Sequence, residues 1–266
     1  MTRPTVTDSP WRDWRAFTPA RVALGRAGNG LPTDEVLRFG LAHALARDAI
    51  QAALDVETLE ANLRRQRWDV LRVKSRAKDR VTYLRRPDLG RVLDPRDGAA
   101  VSATRPPPCD LCFVIGDGLS ALAVSRHAVP LLAALRPLLH PGLRAAPVII
   151  AEQARVALAD EIGELLRARL AIILIGERPG LSSPDSLGVY MTHAPFRRRT
   201  DADRNCISNV RPEGLSYAAA ARKLAWHISE ALRRGLTGVD LKDVSDAAPA
   251  MLRDAAATAA LPTGKN

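Results

Sequence analysis

The chain has 266 residues, of which 47% are hydrophobic, 26% charged and only 4% aromatic, and its formal net charge is +10 at pH 7. The length allows one large domain or two modest ones, and the composition is typical of folded globular proteins with an aliphatic core. No apolar run reaches the roughly 18 residues that a membrane helix needs, and residues 1–19 lack the apolar centre of a signal peptide. We therefore expect a cytoplasmic protein without membrane contact.

The basic residues are spread along the chain instead of forming one cluster. Acids stand beside many of them, as in RAKDR (76–80) and RRPD (85–88), and the longest arginine run is RRR (197–199). Binding to nucleic acid requires clustered Lys and Arg that neutralise phosphates, so we expect solvated faces or a protein interface and no nucleic-acid partner. The three cysteines are too few for a disulfide framework, which agrees with a reducing compartment.

Residues 1–30 are interrupted by Pro and Gly and follow no sustained period, which predicts an irregular arm anchored by Trp11 and Trp14. Apolar residues then recur at helical spacing, namely Val36, Leu37, Leu41, Leu45 and Ile50. The patterns predict, in chain order, two helices, a possible strand and a turn or short helix: 34–52, 56–67, 70–77 and 86–93. Together these elements predict an α-rich N-terminal domain over 31–108.

The segment 94–110 is heavy in Pro, Gly and Ala, which is typical of a linker between domains. After it, short apolar runs alternate with helical patterns. The predicted strands are 111–118, 146–153, 170–177 and 186–195, and the predicted helices are 119–139, 156–170 and 215–235. Strands that are apolar throughout and separated by helices indicate an α/β fold with a mostly parallel sheet and helices on both faces. We assign this Rossmann-like domain to residues 109–266.

Two glycine-containing turns follow predicted strands, at GDGLS (116–120) and at GERPG (176–180). Ligands of open α/β sheets bind beyond the carboxyl ends of the strands, so both turns are expected at the ligand edge. Glycine lets a ligand approach the backbone, and Glu177 can accept hydrogen bonds from amides or hydroxyls. Ordinary strand-to-helix turns would account for the same sequences equally well.

Motifs for other chemistries are incomplete. A dinucleotide-binding G-x-G-x-x-G would need glycine where Ala121 stands, and neither a P-loop nor G-x-S-x-G occurs. Cys109 and Cys112 form a C-x-x-C that precedes its predicted strand, whereas a redox pair normally sits at the N-terminus of a helix. The five histidines show neither zinc-site spacing nor a carboxylate arrangement suited to a triad. We therefore predict no catalytic residue and no metal ligand in this chain.

The chain also carries GRAG (25–28), YLRRPDLGR (83–91), GDGLS (116–120), RV (155–156), DEIGE (160–164), IGERPGLSSPDSL (175–187) and DRNCISNVRPEG (203–214). In this combination it resembles the small (light) subunit of adenosylcobalamin-dependent ethanolamine ammonia-lyase, over nearly its whole length. The motif D-x-H-x-x-G, with which some cobalamin proteins donate a histidine to cobalt, does not occur. Its absence fits a family in which cobalt keeps its own dimethylbenzimidazole ligand.

The resemblance implies a two-component carbon–nitrogen lyase that converts ethanolamine to acetaldehyde and ammonia. The large subunit would carry a TIM barrel with the catalytic side chains, while this chain packs its Rossmann-like sheet against adenosylcobalamin. Carried over motif by motif, the cofactor contacts fall at Val156, Glu177 and Cys206. The alternative function is a stand-alone nucleotide- or corrinoid-binding module without a catalytic partner, and nucleic-acid binding by a basic protein is a third interpretation.

Some relatives in this family carry an amphipathic N-terminal extension that directs them into bacterial microcompartments. Here the motifs of the family begin near residue 20, behind the proline-broken arm, so no such targeting extension is evident. The resemblance implies no function for Cys109 and Cys112.

Overall fold

The computed structural model describes residues 5–103 and 107–247. Within these ranges the chain forms seven α-helices, namely α1 Thr33–Gln51, α2 Val56–Arg65, α3 Arg80–Arg85, α4 Pro95–Ala103, α5 Ala121–Leu135, α6 Leu158–Leu165 and α7 Tyr217–Arg234. It also forms six strands, namely β1 Val70–Lys74, β2 Cys109–Gly116, β3 Val148–Glu152, β4 Ala168–Gly176, β5 Leu187–His193 and β6 Arg204–Val210. Short 3-10 turns cover Arg12–Ala16, Leu89–Arg91, Arg136–Leu138, Asp201–Asp203, Gly238–Asp240 and Ser245–Ala247.

All six strands belong to one sheet, in the order β1-β3-β2-β4-β5-β6. The pairs β1–β3, β3–β2 and β2–β4 are parallel, whereas β4–β5 and β5–β6 are antiparallel. The sheet is therefore mixed, and the expectation of a mostly parallel sheet is wrong. The cause is the length of the connections, because residues 177–186 and 194–203 are too few for a parallel crossover, which needs roughly a dozen residues or more.

The N-terminal half takes part in this sheet. Strand β1 pairs with β3 along its whole length, from Val70 opposite Val148 to Lys74 opposite Glu152. This region is therefore not the clearly α-rich unit that the sequence indicated, since one of its elements is an edge strand. Helix α4 also occupies part of the expected linker, and its Val101 is buried. The division into an arm and two domains stays a prediction.

Apolar side chains cover both faces of the sheet and form two core clusters. The first cluster packs α2, α5 and α7 against one face, around residues such as Phe113 and Ile150. The second cluster packs α4 and α6 against the other face, around residues such as Val114 and Ile173. Alternate residues of a strand point to opposite faces, so the neighbours Phe113 and Val114 enter different clusters. None of the helices that the structure describes is long and apolar enough to cross a bilayer.

Local sequence signals fix the ends of the helices beside the sheet. Ser120 caps α5, because its Oγ accepts a hydrogen bond from Ala123 N at 3.3 Å. Gly235 ends α7 as expected, in the left-handed conformation with φ of 71°. The helices and strands predicted after residue 110 are confirmed to within a few residues, but β6 is an additional strand. Its sequence RNCISNV is mostly polar, which conceals the alternation that would have predicted it.

Candidate functional site

The turns after β2 and β4 touch each other through their backbones. A Cβ atom added at Gly118 would overlap the carbonyl oxygen of Gly176, and one added at Gly176 would overlap that of Ser120. Gly118 also has a φ of 58°, a conformation that favours glycine. These glycines therefore make room for the neighbouring turn. GDGLS is thus the strand-to-helix turn that the sequence analysis gave as the alternative to a ligand cradle, whereas GERPG begins a loop between two strands.

Asp117, in the turn after β2, fixes the turn after β3. Its two carboxylate oxygens accept hydrogen bonds from Gln153 N at 3.0 Å and Ala154 N at 2.9 Å. Arg80 Nη1 lies 3.8 Å from the same carboxylate. Burial raises the pKa of Asp117 to about 6, against the opposing effect of these amides and of Arg80. A buried carboxylate thus holds the backbone that leads directly to Val156.

The motif YLRRPDLGR holds the residue before Val156. The Tyr83 ring is buried between two guanidinium groups, with Arg80 at 4.7 Å and Arg155 at 4.2 Å from its centroid. Arg155 Nη2 donates to Tyr83 O at 3.2 Å, and Arg155 N donates to Gly90 O at 2.8 Å. Val156 follows this fixed arginine, half-buried against the second core cluster just before α6.

Glu177 is the first residue after β4, and its carboxylate lies over β5. Ser186 Oγ donates to this carboxylate, and Asn209 N at the end of β6 donates to it at 3.3 Å. A Cβ atom on Gly188 would lie 2.9 Å from Glu177 Oε1 and 3.1 Å from Tyr190 Cε2. The absence of a side chain at Gly188 therefore makes the room that Glu177 occupies.

Cys206 lies on β6, opposite Tyr190 of β5, and not in a loop as the sequence suggested. The residue is exposed, and its thiol lies close enough to the Tyr190 hydroxyl to affect the pKa of that phenol. Burial, together with Cys206 and the nearby Glu177, raises the pKa of Tyr190, so the phenol stays protonated at neutral pH. Tyr190 therefore links the two predicted residues, Glu177 and Cys206, into one group.

This group lies where no helix among the described residues covers the second face of the sheet. Helix α6 packs over β4 and reaches β6 through Asp160, which forms a buried ion pair with Arg204. Beyond that pair, towards the end of β4, Tyr190 is half-buried and Cys206 is exposed. We call Gly188, Tyr190 and Cys206, with the Glu177 carboxylate above them, the open strip. Val156 stands on the same face, at the start of α6.

Hydrogen bonds and charge contacts join the far end of the loop 177–186 to helix α5 and to the segment after β6. Asp185 is buried and accepts a hydrogen bond from Arg126 Nη1 at 2.8 Å, while His127 Nε2 lies 3.4 Å away and Arg211 Nη1 3.8 Å away. Although burial acts in the opposite direction, Arg126 and His127 hold the pKa of Asp185 below its usual value. This loop is thus anchored at both ends, which restricts where Glu177 can lie.

Two recesses of the described part of the chain lie away from the open strip. The recess of about 150 Å³ lies between the arm and α1, and the recess of about 400 Å³ lies between α2, β1 and α4. Neither is lined by Val156, Glu177 or Cys206. A carboxylate, a phenol, a thiol and an apolar side chain on one open face suit a large flat ligand with polar groups at its edge. Such a ligand would need a second protein to cover it.

The C-x-x-C pair lies elsewhere and is enclosed. Cys109 and Cys112 both belong to β2, so the pair does not precede its strand as expected. Both thiols are buried, and burial raises the pKa of each. A protonated, enclosed thiol is a poor nucleophile, so we assign these residues to the core.

Sequence reasoning missed Tyr190, Ser186 and Gly188. Ser186 and Gly188 stand beside the motif that contains Glu177, but nothing in a single sequence shows that the chain turns back there to run beside β4. The antiparallel pairing places Gly188 opposite Ile175 and thereby beneath Glu177. The register of β5 and β6, with Tyr190 opposite Cys206, follows from the same reversal.

The chain is similar to known proteins over most of its length. A family model described as ethanolamine ammonia-lyase light chain (EutC) matches residues 8–242, which includes most of the arm. The ethanolamine ammonia-lyase small subunit of Azotobacter vinelandii is 56% identical over 250 residues, covering 92% of this chain and 93% of the relative. The small subunits of Ralstonia nicotianae and Bradyrhizobium diazoefficiens are 54% and 53% identical, covering 91% and 94% of this chain and 91% and 97% of those relatives.

Proposed function

Since the chain belongs to the ethanolamine ammonia-lyase light-chain family, we propose that it is the small subunit of a two-component enzyme that converts ethanolamine to acetaldehyde and ammonia. The large subunit carries the catalytic side chains, and this chain contributes part of the cofactor site. The observation that supports this division is the open strip. It offers groups that can bind a ligand, on a face that the described part of the chain leaves open to a partner.

The proposed cofactor is adenosylcobalamin, which supplies a radical by cleavage of its cobalt–carbon bond when it is bound. Its corrin ring is broad and flat and is fringed with amide groups, and the residues of the strip fit such a ligand. Glu177 can accept hydrogen bonds from amides, and Gly188 leaves room for its carboxylate. Val156 offers an apolar contact, and Cys206 is a small residue that a ring can approach closely.

The protein's own task at this site is to bind and orient the cofactor and to exclude water. Ser186 and Asn209 N orient the Glu177 carboxylate before any ligand arrives. Asp117 and the Tyr83–Arg155 pair fix the backbone around Val156 in the same way. Contacts that are already in place reduce the ordering cost of binding, which favours affinity.

Substitution of Glu177 and Cys206 in the assembled complex tests the proposal. Glu177→Ala removes one acceptor, worth about 0.5 to 1.5 kcal/mol, and should raise the apparent cobalamin dissociation constant about threefold to tenfold. Cys206→Trp should act more severely, because it fills the strip. The control is Glu57→Ala, an exposed glutamate on α2. Unchanged constants in both site variants, with the same subunit ratio, would refute the assignment of the strip.

A second experiment tests whether catalysis requires the large subunit. The purified chain, supplied with adenosylcobalamin and ethanolamine, should release no ammonia, whereas the co-expressed complex should release it in a cobalamin-dependent reaction. Activity of the rigorously purified chain alone would contradict the proposed role of the large subunit.

A further inference from the structure

Helix α1 buries its small residues and exposes its large ones. The side chains that it buries on the protein are mainly those of Ala42, Ala46 and Ala49. Leu37 and Leu41 are 68% and 60% exposed. Together with the exposed Leu45 they recur every four residues, so they form one stripe along the helix. A helix that is apolar on more than its packed face is typically buried on both sides.

The arm, which contacts α1 at Glu35 and Phe39, exposes aromatic side chains of its own. Trp11, Trp14 and Phe17 are 58%, 57% and 88% exposed, and the two indole rings lie 4.9 Å apart. At about 150–250 Å² for each large aromatic side chain, these fractions amount to about 300–500 Å² of exposed area. The leucine stripe comes in addition, so the total exceeds what single scattered apolar residues offer on a monomer.

Polar contacts, and not these aromatics, hold the arm on its own chain. Arg15 Nη2 lies 3.0 Å from the buried carboxylate of Glu35 in α1. The guanidinium of Arg21 lies 5.5 Å from the centre of the Phe39 ring. The arm is therefore ordered against α1 through its arginines while its tryptophans and Phe17 face outward, an arrangement that preorganises them for another surface.

This surface adjoins the edge of the sheet where the proposed cofactor site lies. Arg80 donates to Ile50 O of α1 and to Gly118 O of the turn after β2, both at 2.7 Å. Arg21 Nη2 lies 3.5 Å from Leu181 O, inside the loop that follows Glu177. The arm therefore lies beside the loop that follows Glu177, and the last turn of α1 lies beside the turn after β2, so a large protein that covers the open strip would reach the arm first.

We propose that Trp11, Trp14, Phe17, Leu37, Leu41 and Leu45, which we call the apolar docking surface, bind an apolar groove on the large subunit. The choice of the large subunit rests on the proposed function, since continuity with the open strip is what favours it over a second copy of this chain. Aromatic residues in the centre and arginines around them are typical of the residues that contribute most to protein interfaces.

The experiment uses the full chain co-expressed with an affinity-tagged large subunit. In Leu37→Gln/Leu41→Gln both replacements are good helix formers, so α1 should persist. We expect the amount of small subunit retained per large subunit to fall at least tenfold, while the melting temperature of the isolated chain changes by less than about 2 °C. The matched control is Val239→Gln, another apolar residue that is 70% exposed, which should leave retention unchanged.

Two other outcomes would overturn the proposal. Full retention of the double variant would show that the large subunit binds elsewhere. The isolated wild-type chain could also self-associate. If the double variant abolishes this self-association and is still retained by the large subunit, the surface binds a second copy of the chain.

Hydrogen exchange on the unmutated protein gives a second measurement. Residues 33–45 should exchange more slowly in the complex than in the isolated chain, and equal exchange would also contradict the proposal. Failure of the cofactor assignment is distinguishable, because it appears in the Glu177 and Cys206 variants, whose assembly is intact.

Discussion

Large apolar side chains are buried in the central strands but exposed in the N-terminal segment, residues 5–51. Phe113, Ile150 and Ile172 of the sheet are completely buried. Phe17 and Leu37 of the N-terminal segment are mostly exposed, although they are the same kinds of residue. Burial of apolar area is the main favourable contribution to folding, so the sheet supplies the stability of the isolated chain. The N-terminal segment retains apolar area whose burial can stabilise an assembly.

The largest effect that this comparison predicts is in the core. Phe113→Ala should lower the free energy of unfolding of the isolated chain by about 3–5 kcal/mol, because it leaves a cavity in a packed cluster. Phe17→Ala, the matched change at an exposed phenylalanine, should alter it by less than about 0.5 kcal/mol. Urea unfolding followed by circular dichroism measures both. Similar losses in the two variants would mean that the arm contributes to the core of the chain.

The next effect concerns the buried charge at the sheet edge. Because the folded chain raises the Asp117 pKa from 3.8 to about 6, it binds this proton more tightly than the unfolded chain does. The wild type should therefore lose about 2 kcal/mol of stability, relative to Asp117→Asn, as the pH rises from about 4 to about 7, through the pKa of the folded state. Denaturation midpoints of both proteins at pH 4, 5, 6 and 7 measure this difference. A difference that is constant over this range would show that the amides and Arg80 outweigh burial.

A third prediction separates stability from ligand binding at the open strip. Gly188→Ala places a methyl group 2.9 Å from Glu177 Oε1 and 3.1 Å from the Tyr190 ring, so the Glu177 side chain must shift and lose its hydrogen bonds to Ser186 and Asn209. The free energy of unfolding should fall by less than about 1 kcal/mol, whereas the cobalamin constant of the complex should rise about as much as in Glu177→Ala. Gly98→Ala in α4, where the nearest atom would be 3.9 Å away, is the control. Normal cofactor binding in Gly188→Ala would show that the position of Glu177 is not critical.

The smallest change in stability should come from the arm. Deletion of residues 1–18 removes Arg15 from the buried Glu35 carboxylate, but Arg38 Nη1 stays 3.2 Å from it, so the melting temperature of the isolated chain should change by less than about 2 °C. Co-purification with the large subunit should weaken clearly. A large fall in melting temperature with assembly intact would instead mean that the arm only covers its own chain.

Periodicity predicted most elements but could not predict how they pack. The spacing of Leu37 and Leu41 correctly predicts a helix at α1, yet the same spacing cannot say whether those leucines face the core or a partner. The apolar runs of β3 and β4 predict these strands correctly, because both faces of each strand are buried. Strand β6 has one uncovered face, so its polar residues obscure it.

For the predicted site, too, the sequence indicates individual residues but not how they are arranged. Cys206 is identified only through a motif of the family, whereas Glu177 is also indicated by its position after a predicted strand, and the structure adds the reason that the two residues lie near each other. That reason is the reversal of the chain after β4, which sets Tyr190 opposite Cys206 and Gly188 beneath Glu177. A reversal of this kind depends on loop length and long-range pairing, which local patterns do not encode.

The contact between Gly118 and Gly176 is made by main-chain atoms on both sides. Arg80 extends it to α1, since it binds both Gly118 O and Ile50 O. Main-chain atoms cannot give way by changing rotamer, so the two turns are expected to move together, and the Arg80 side chain connects them to the end of α1. On the proposed function, we therefore expect binding at the open strip and binding at the docking surface to be coupled, and such coupling is reciprocal. Whatever factor the large subunit adds to the affinity for cobalamin, cobalamin adds to the affinity between the subunits.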